Sequence, residues 1–258
     1  MRFCGINRDR LARRGGFSLI EVTIAVAIFF ICMFALLSLM TQSLNTARRL
    51  EFVGSITAMD AAIGRLLDLL DEYKITDNTI VIFFSDNGGG GAADNAPLRG
   101  RKGQMFEGGI RVPLIVRWPG KVKAGSTSSF MTGLEDWLPT LLAMTGLEEK
   151  TPDNIDGISI AATLSSHRQA RRPFLYREFS GYGGQQAVWM GKWKGIRQNM
   201  LRKNNADPLK IELYDLQADI SESRDVAAEN PQVVARIRTL MAKQHTPSEL
   251  FPLKPLDQ

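Results

Sequence analysis

Hydrophobic and polar positions divide this chain into one long apolar run and a body of shorter segments. Residues 22–40 carry no charged side chain. As an α-helix, at about 1.5 Å per residue, that run spans roughly 28 Å, close to a bilayer core. A helix buried in a soluble core is one competing reading, and a cleaved secretory signal is another. The run is longer than a signal's apolar stretch, and no A-x-A-like site follows it. The pattern predicts one membrane-spanning helix over residues 18–40.

Past this run the period changes. Met59, Ile63, Leu66, Leu67 and Leu70 recur at helical spacing in MDAAIGRLLDLLDEY, which predicts an amphipathic helix over residues 58–73. Residues 79–84, TIVIFF, are a continuous apolar run of strand length. Such a run suits a central parallel strand buried on both faces. Ser85, Asp86 and Asn87 follow it, and then the glycines Gly88 to Gly91. Polar residues at the carboxyl end of a buried strand, opening into a glycine-rich loop, form the usual site geometry of open α/β sheets.

A second strand is predicted over residues 112–117, ended by Trp118-Pro119-Gly120. A helix is predicted over residues 134–145, with Pro139 near its first turn and Gly146 as its C-cap. Residues 151–172 read as a polar linker. Short strands with glycine turns are predicted at 174–179, 187–190, 194–197 and 212–216. A last helix covers 231–243, and an irregular tail holds Pro247, Pro252 and Pro255. The chain has no internal repeat. The expected divisions are a basic leader (1–16), a membrane helix (17–50), an α/β portion (51–150) and a small antiparallel subdomain with a tail (151–258).

Composition excludes several classes. Hydrophobic residues are 44% and charged residues 23%, which is globular and neither disordered nor collagen-like. Two cysteines cannot build a disulfide framework or a structural zinc site. The two histidines, His167 and His245, lie far apart in sequence, which argues against a histidine metal cluster. The net charge of +5 would ordinarily suggest a polyanionic partner. Its location removes that suggestion. Arg2, Arg8, Arg10, Arg13 and Arg14 precede the apolar run, while residues 51–258 hold equal numbers of basic and acidic side chains. No nucleic-acid partner is expected. The arginines predict a single-pass inner-membrane protein with a cytoplasmic N-terminus and a periplasmic or extracellular body.

The segment Arg13-Arg14-Gly15-Gly16-Phe17-Ser18-Leu19-Ile20-Glu21-Val22 resembles the type IV prepilin leader. The resemblance implies cleavage after Gly16 by a prepilin peptidase and N-methylation of Phe17. It also places a functional carboxylate at Glu21. A charge in an apolar helix is costly unless paired. In pilins the matching carboxylate meets the terminal amine of a neighbouring subunit. The resemblance stops near residue 50, and no pilin-like head follows.

The body resembles the C-terminal part of a sulfatase, of the arylsulfatase-like branch of the alkaline phosphatase superfamily. The matching blocks are MDAAIGRLLDLLDEYKITDNTIVIFFSDNGG, PLRGRKGQMFEGGIRVPLIVRWPG, EDWLPTLLAMTG, AVWMGKWKGIR and ELYDLQADISESRDVA. They imply the C-terminal portion of an alkaline phosphatase-like α/β fold with a small antiparallel subdomain. Asp86 and Asn87 match the family's metal ligands, with calcium (Ca2+) as the usual cation, and a hard cation takes such oxygens. Lys102 matches the lysine that contacts the sulfate ester, where a compact ammonium suits an oxyanion. Read without the resemblance, Asp86-Asn87-Gly88 is a turn and Lys102 a solvated loop residue. Glu107, Gly108, Gly109 and Arg111 are expected to be structural, with Glu107 and Arg111 pairing with each other or with nearby backbone.

The family's nucleophile is a formylglycine made from cysteine in C-x-P-S-R. Cys4 opens Cys4-Gly5-Ile6-Asn7-Arg8, which lacks the proline and serine, and Cys32 lies in the apolar run as a packing residue. The family's first Asp pair and its catalytic histidine have no match either, since His167 and His245 stand in other contexts. The expectation is a truncated sulfatase-family protein, inactive alone, whose intact relatives hydrolyse sulfate esters. Two alternatives stand beside it: a pseudopilin-like membrane-anchored structural protein, or a fused or misassigned reading frame. No Gly/Ser/Pro-rich linker marks the join at residues 48–56.

Overall fold

The computed structural model describes residues 19–91 and 93–257. The chain separates into two compact units, Met1–Ser55 and Ile56–Gln258. Helix α1, Leu19–Glu72, contains the apolar run and the amphipathic segment without interruption. Among the described residues it is the one helix long and apolar enough, by length and composition, to cross a membrane. Phe29, Phe30, Phe34, Leu36 and Leu37 are all exposed along it. A helix apolar on every side needs a nonpolar surround. Further along α1, Ile63, Leu67 and Leu70 are half-buried while Met59 and Leu66 are exposed, so the predicted apolar face is only partly covered.

Strand β1, Val81–Phe84, pairs antiparallel with β2, Leu114–Arg117, setting Val81 opposite Arg117 and Phe84 opposite Leu114. This corrects the parallel, doubly buried strand expected at residues 79–84. The chain leaves β1 at Phe84 and re-enters beside the same end at Leu114, which dictates an antiparallel ladder. A continuous apolar run reports burial and not direction. Burial is itself partial, since Phe84 is 40% exposed.

The four-residue helix α2, Glu107–Ile110, lies in the connection between these strands. Helix α3, Trp137–Met144, follows a single 3-10 turn at Leu134–Asp136 and holds Pro139 in its first turn, as predicted. Residues 151–172, expected as a linker, are anchored. The Asp136 carboxylate is buried and accepts Oγ1–H of Thr132 (2.8 Å), N–H of Gly133 (2.8 Å) and N–H of Ile158 (2.9 Å), and it pairs with Arg172. Thr140 Oγ1 accepts the N–H of Ile160 (2.9 Å), and the short helix α4, Ala161–Leu164, begins there. Polar side chains here satisfy buried groups of α3 and do not mark a solvated tether.

The remaining strands form one antiparallel sheet in the order β3 (Leu175–Phe179), β4 (Gln185–Met190), β5 (Trp193–Arg197), β6 (Glu212–Asp215). Both faces are covered, and alternation along each strand sorts the side chains. Ala187, Trp189, Ile196 and Tyr214 face Met105 and Phe106. Val188 and Leu213 face Ile237 and Met241 of helix α5, Pro231–Gln244. Ile237 and Met241 are spaced i, i+4, so they share one helix face. The proline-containing tail is docked as well, with Leu253 2% exposed.

Candidate functional site: the glycine loop and the Lys102 turn

Immediately after β1, Ser85 Oγ donates to the carbonyl of Asn87 (3.0 Å), and the Asn87 N–H donates to Asp86 Oδ1 (2.9 Å). Asn87 Nδ2 donates to the carbonyl of Gly88 (3.0 Å), which commits the nitrogen of that amide and leaves its oxygen. Gly88 N–H donates to the carbonyl of Gly109 (2.8 Å). A Cβ at Gly88 would lie 1.9 Å from the carbonyl oxygen of Gly108, so only glycine permits this approach of loop to α2.

The segment 101–104 is a tight turn closed by Gln104 N–H on the carbonyl of Arg101 (2.9 Å). Gly103 at φ 87° supplies the left-handed conformation that a type II turn asks of its third residue. Lys102, second in that turn, donates its N–H to the carbonyl of Gly89 (3.1 Å). This bond seats the predicted sulfate-contacting lysine on the loop that carries Asp86 and Asn87. Asp86 and Lys102 are exposed and Asn87 is half-buried.

Asn95, not singled out from the sequence, clamps the loop. Its Oδ1 accepts Gly89 N–H (2.9 Å), and its Nδ2 donates to the carbonyls of Gly89 (2.9 Å) and Gly100 (3.1 Å). An asparagine within a glycine-rich segment is the available signal for such a role.

Behind the turn lies a buried ionic cluster. Glu107 Oε1 accepts Trp189 Nε1–H (3.0 Å) and Lys194 Nζ (3.1 Å), while Arg111 approaches Oε2 at 3.6 Å. The expected Glu107–Arg111 pairing is present, but Glu107's closer partners come from β4 and β5. Lys194 Nζ also sits 2.6 Å from Glu222 Oε1. Glu222 Oε2 accepts the Glu107 N–H (2.7 Å). Burial pushes the Glu222 carboxyl above its ordinary range, with Lys194 pulling the other way. Arg99 stacks 3.9 Å over the Phe106 ring and donates to Tyr214 Oη (3.0 Å) and to the carbonyl of Glu222 (2.9 Å). Glu107 and Arg99 thus fix both ends of the segment that presents Lys102. A lysine inside a strand gives no sequence signal of a buried partner.

The donor chemistry of Asp86 and Asn87, one carboxylate and one amide oxygen, fits a hard cation. Calcium takes about six to eight oxygens, so these two side chains are part of a coordination sphere. Among the described residues, no three His, Cys, Asp or Glu side chains converge as a metal cluster. Gly16 and Phe17 lie outside the described residues, and Glu21 falls within α1. His245 stands apart from the loop, bridging Glu178 (2.8 Å) and Asp257 (2.9 Å).

Comparisons with known proteins bear on the family of this chain. The model for sulfatases matches residues 31–147, and the model for the C-terminal region of N-sulphoglucosamine sulphohydrolase matches residues 101–247. The prokaryotic N-terminal methylation motif matches residues 11–37. N-acetylgalactosamine-6-sulfatase of Homo sapiens is 30% identical over 171 residues, covering 61% of this chain and 33% of that protein. A sulfatase of Formosa agariphila is 34% identical over 199 residues, covering 70% of this chain and 36% of its own length. N-acetylgalactosamine-6-O-sulfatase of Bacteroides thetaiotaomicron is 31% identical over 225 residues, covering 74% and 41% respectively. The solved complex of Ps i-CgsB with k-i-k-neocarrahexaose superposes with a TM-score of 0.62 at 31% identity, over 73% of this chain and 41% of the other. The chain spans about a third to two-fifths of the length of the curated relatives it matches. With a family model over more than half its residues and its fold shared with solved relatives, the chain belongs to the sulfatase family.

Proposed function

We propose that this chain carries the C-terminal share of a sulfate-ester hydrolysis site. Asp86 and Asn87 supply two oxygen ligands to a divalent cation, calcium by the family's habit. A cation held there would supply neutralisation of charge on a bound sulfate. Lys102 holds the sulfate ester by its ammonium and favours the departing oxygen as charge develops there. The bond from Lys102 N–H to the Gly89 carbonyl (3.1 Å) supports this reading most directly, since it joins the lysine to the Asp86–Asn87 loop. The substrate class is a sulfated sugar, as the names of its relatives suggest.

This chain alone turns over no sulfate ester. Its sequence holds no C-x-P-S-R motif, and His245 is engaged by Glu178 and Asp257. This chain in detergent micelles with calcium is expected to leave a chromogenic aryl sulfate unhydrolysed. Turnover that disappears in Lys102→Ala would overturn the inactive reading.

Residues 18–40 anchor the chain in the inner membrane, with the body outside the cytoplasm. The match of residues 11–37 to the methylation motif supports the accompanying pilin-like reading, with cleavage after Gly16, methylation of Phe17 and a register-setting carboxylate at Glu21. Mass spectrometry of chain recovered from membranes containing prepilin peptidase should find N-methylated Phe17 as its first residue. A terminus at Met1 in those membranes would rule the processing out.

A further inference from the structure

Beside the Lys102 turn is a cleft of about 350 Å³, lined by Arg101, Gln104, Tyr182, Gln185, Asn199 and Arg202, among others. Its volume falls in the range of small-molecule sites. The lining is polar, with two guanidiniums and no carboxylate. The arginines that form ion pairs, Arg111, Arg172, Arg177 and Arg224, lie elsewhere. Arg101 and Arg202 have no carboxylate partner among the described residues.

The cleft is built and not incidental. Gln185 is buried and bridges its walls, accepting Met105 N–H (3.0 Å) and donating to the carbonyl of Gly103 (2.8 Å). Tyr182 packs its ring on Gly103, where a Cβ would meet it at 2.3 Å. Tyr182 (φ 52°) and Asn199 (φ 55°) both hold left-handed backbone, which non-glycine residues adopt at a cost and which gathers at functional sites. Arg101 and Lys102 are consecutive, their Cα atoms about 3.8 Å apart. One sugar, or two linked sugars, can therefore present anions to both.

We propose that this cleft binds a second oxyanion, a sulfate or carboxylate, carried by the same sugar as the ester that Lys102 contacts or by the next sugar. Arg101 and Arg202 make bidentate contacts to it, and Gln104 and Asn199 orient it. The assignment rests on the sulfate-ester reading of Lys102 and adds to it a preference for substrates bearing two anions.

The test is calorimetric titration of the full chain in detergent micelles with three probes. These are glucosamine 6-sulfate, glucosamine 2-N,6-O-disulfate, and a 6-sulfated amino sugar linked to a uronate. At least one doubly charged probe is expected to bind about tenfold tighter than glucosamine 6-sulfate, a gain typical of one charge-assisted contact. Which of the two gains shows whether the second oxyanion is sulfate or carboxylate. Arg101→Gln combined with Arg202→Gln should abolish the gain, while Arg236→Gln, an exposed arginine on α5, should preserve it. Unaltered thermal melting would show that the variants fold. Equal affinity for all three probes, or the same loss in Arg236→Gln, overturns the cleft assignment alone. Failure of every probe to bind the unaltered chain overturns the sulfate-ester reading, and the cleft assignment with it.

Discussion

Lys194 Nζ lies 3.1 Å from Glu107 Oε1, and both residues are buried. The contact ties β5 of the four-stranded sheet to α2, and α2 in turn receives the glycine loop through Gly88 and Gly109. Sheet and site are therefore one mechanical unit. Removing the ammonium leaves Glu107 with the Trp189 indole and the more distant Arg111, and leaves Glu222 with the Glu107 N–H and no cation. Lys194→Met should lower stability by about 3–5 kcal/mol, the usual cost of breaking a buried ion pair on one side. Urea unfolding of the full chain measures this. A loss below about 1 kcal/mol would mean that water or another cation serves the two carboxylates.

Gly88→Ala places a methyl group 1.9 Å from the Gly108 carbonyl oxygen. The loop must retreat, breaking the bond from Gly88 N–H to Gly109 and moving Asp86 and Asn87. Overpacking against backbone costs about 1–3 kcal/mol. Hydrogen exchange at the Gly88 and Lys102 amides should accelerate in this variant while exchange in β4 and β5 stays unchanged. Unchanged protection at Gly88 would contradict the packing described.

His245 predicts a pH dependence. Burial by itself would lower its pKa, but the carboxylates of Glu178 and Asp257 outweigh burial and raise it above the ordinary 6.5. A raised folded-state pKa stabilises fully below the unfolded value, and the contribution disappears as pH rises through the folded value. The stability difference between the chain and His245→Gln should be largest near pH 5–6 and shrink as pH rises from about 6.5 toward 9. Denaturant melts of both proteins across that range measure it. A difference independent of pH would show that His245 acts only by packing.

Much of this organisation was legible beforehand, for reasons that differ by element. The strands at β3, β5 and β6 and the helix α5 followed from periodicity, because apolar side chains line their buried faces. β4 begins two residues earlier than its apolar pattern implied. Gln185 and Gln186 are polar yet buried, satisfied by Met105 N–H and by Arg197 Nη1 (2.8 Å). Periodicity cannot detect a buried amide whose partners are distant in sequence. The same limit hid the anchoring of residues 151–172, which depends on Asp136. Asp86, Asn87 and Lys102 were singled out by resemblance. The backbone bond from Lys102 N–H to the Gly89 carbonyl, which ties the Lys102 turn to the Asp86–Asn87 loop, is one that only the fold displays, and the Glu107–Lys194–Glu222 cluster joins three separate family blocks.

The proposed role of Lys102, whose N–H is bonded to the Asp86–Asn87 loop, is contact with a sulfate ester. Titration of the full chain with glucosamine 6-sulfate in the presence of calcium, beside Lys102→Ala, tests it most directly. A lost charge-assisted contact of about 1.5–3 kcal/mol predicts affinity at least tenfold weaker in the variant. Equal affinity in the two proteins, with equal thermal stability, would show that Lys102 makes no such contact.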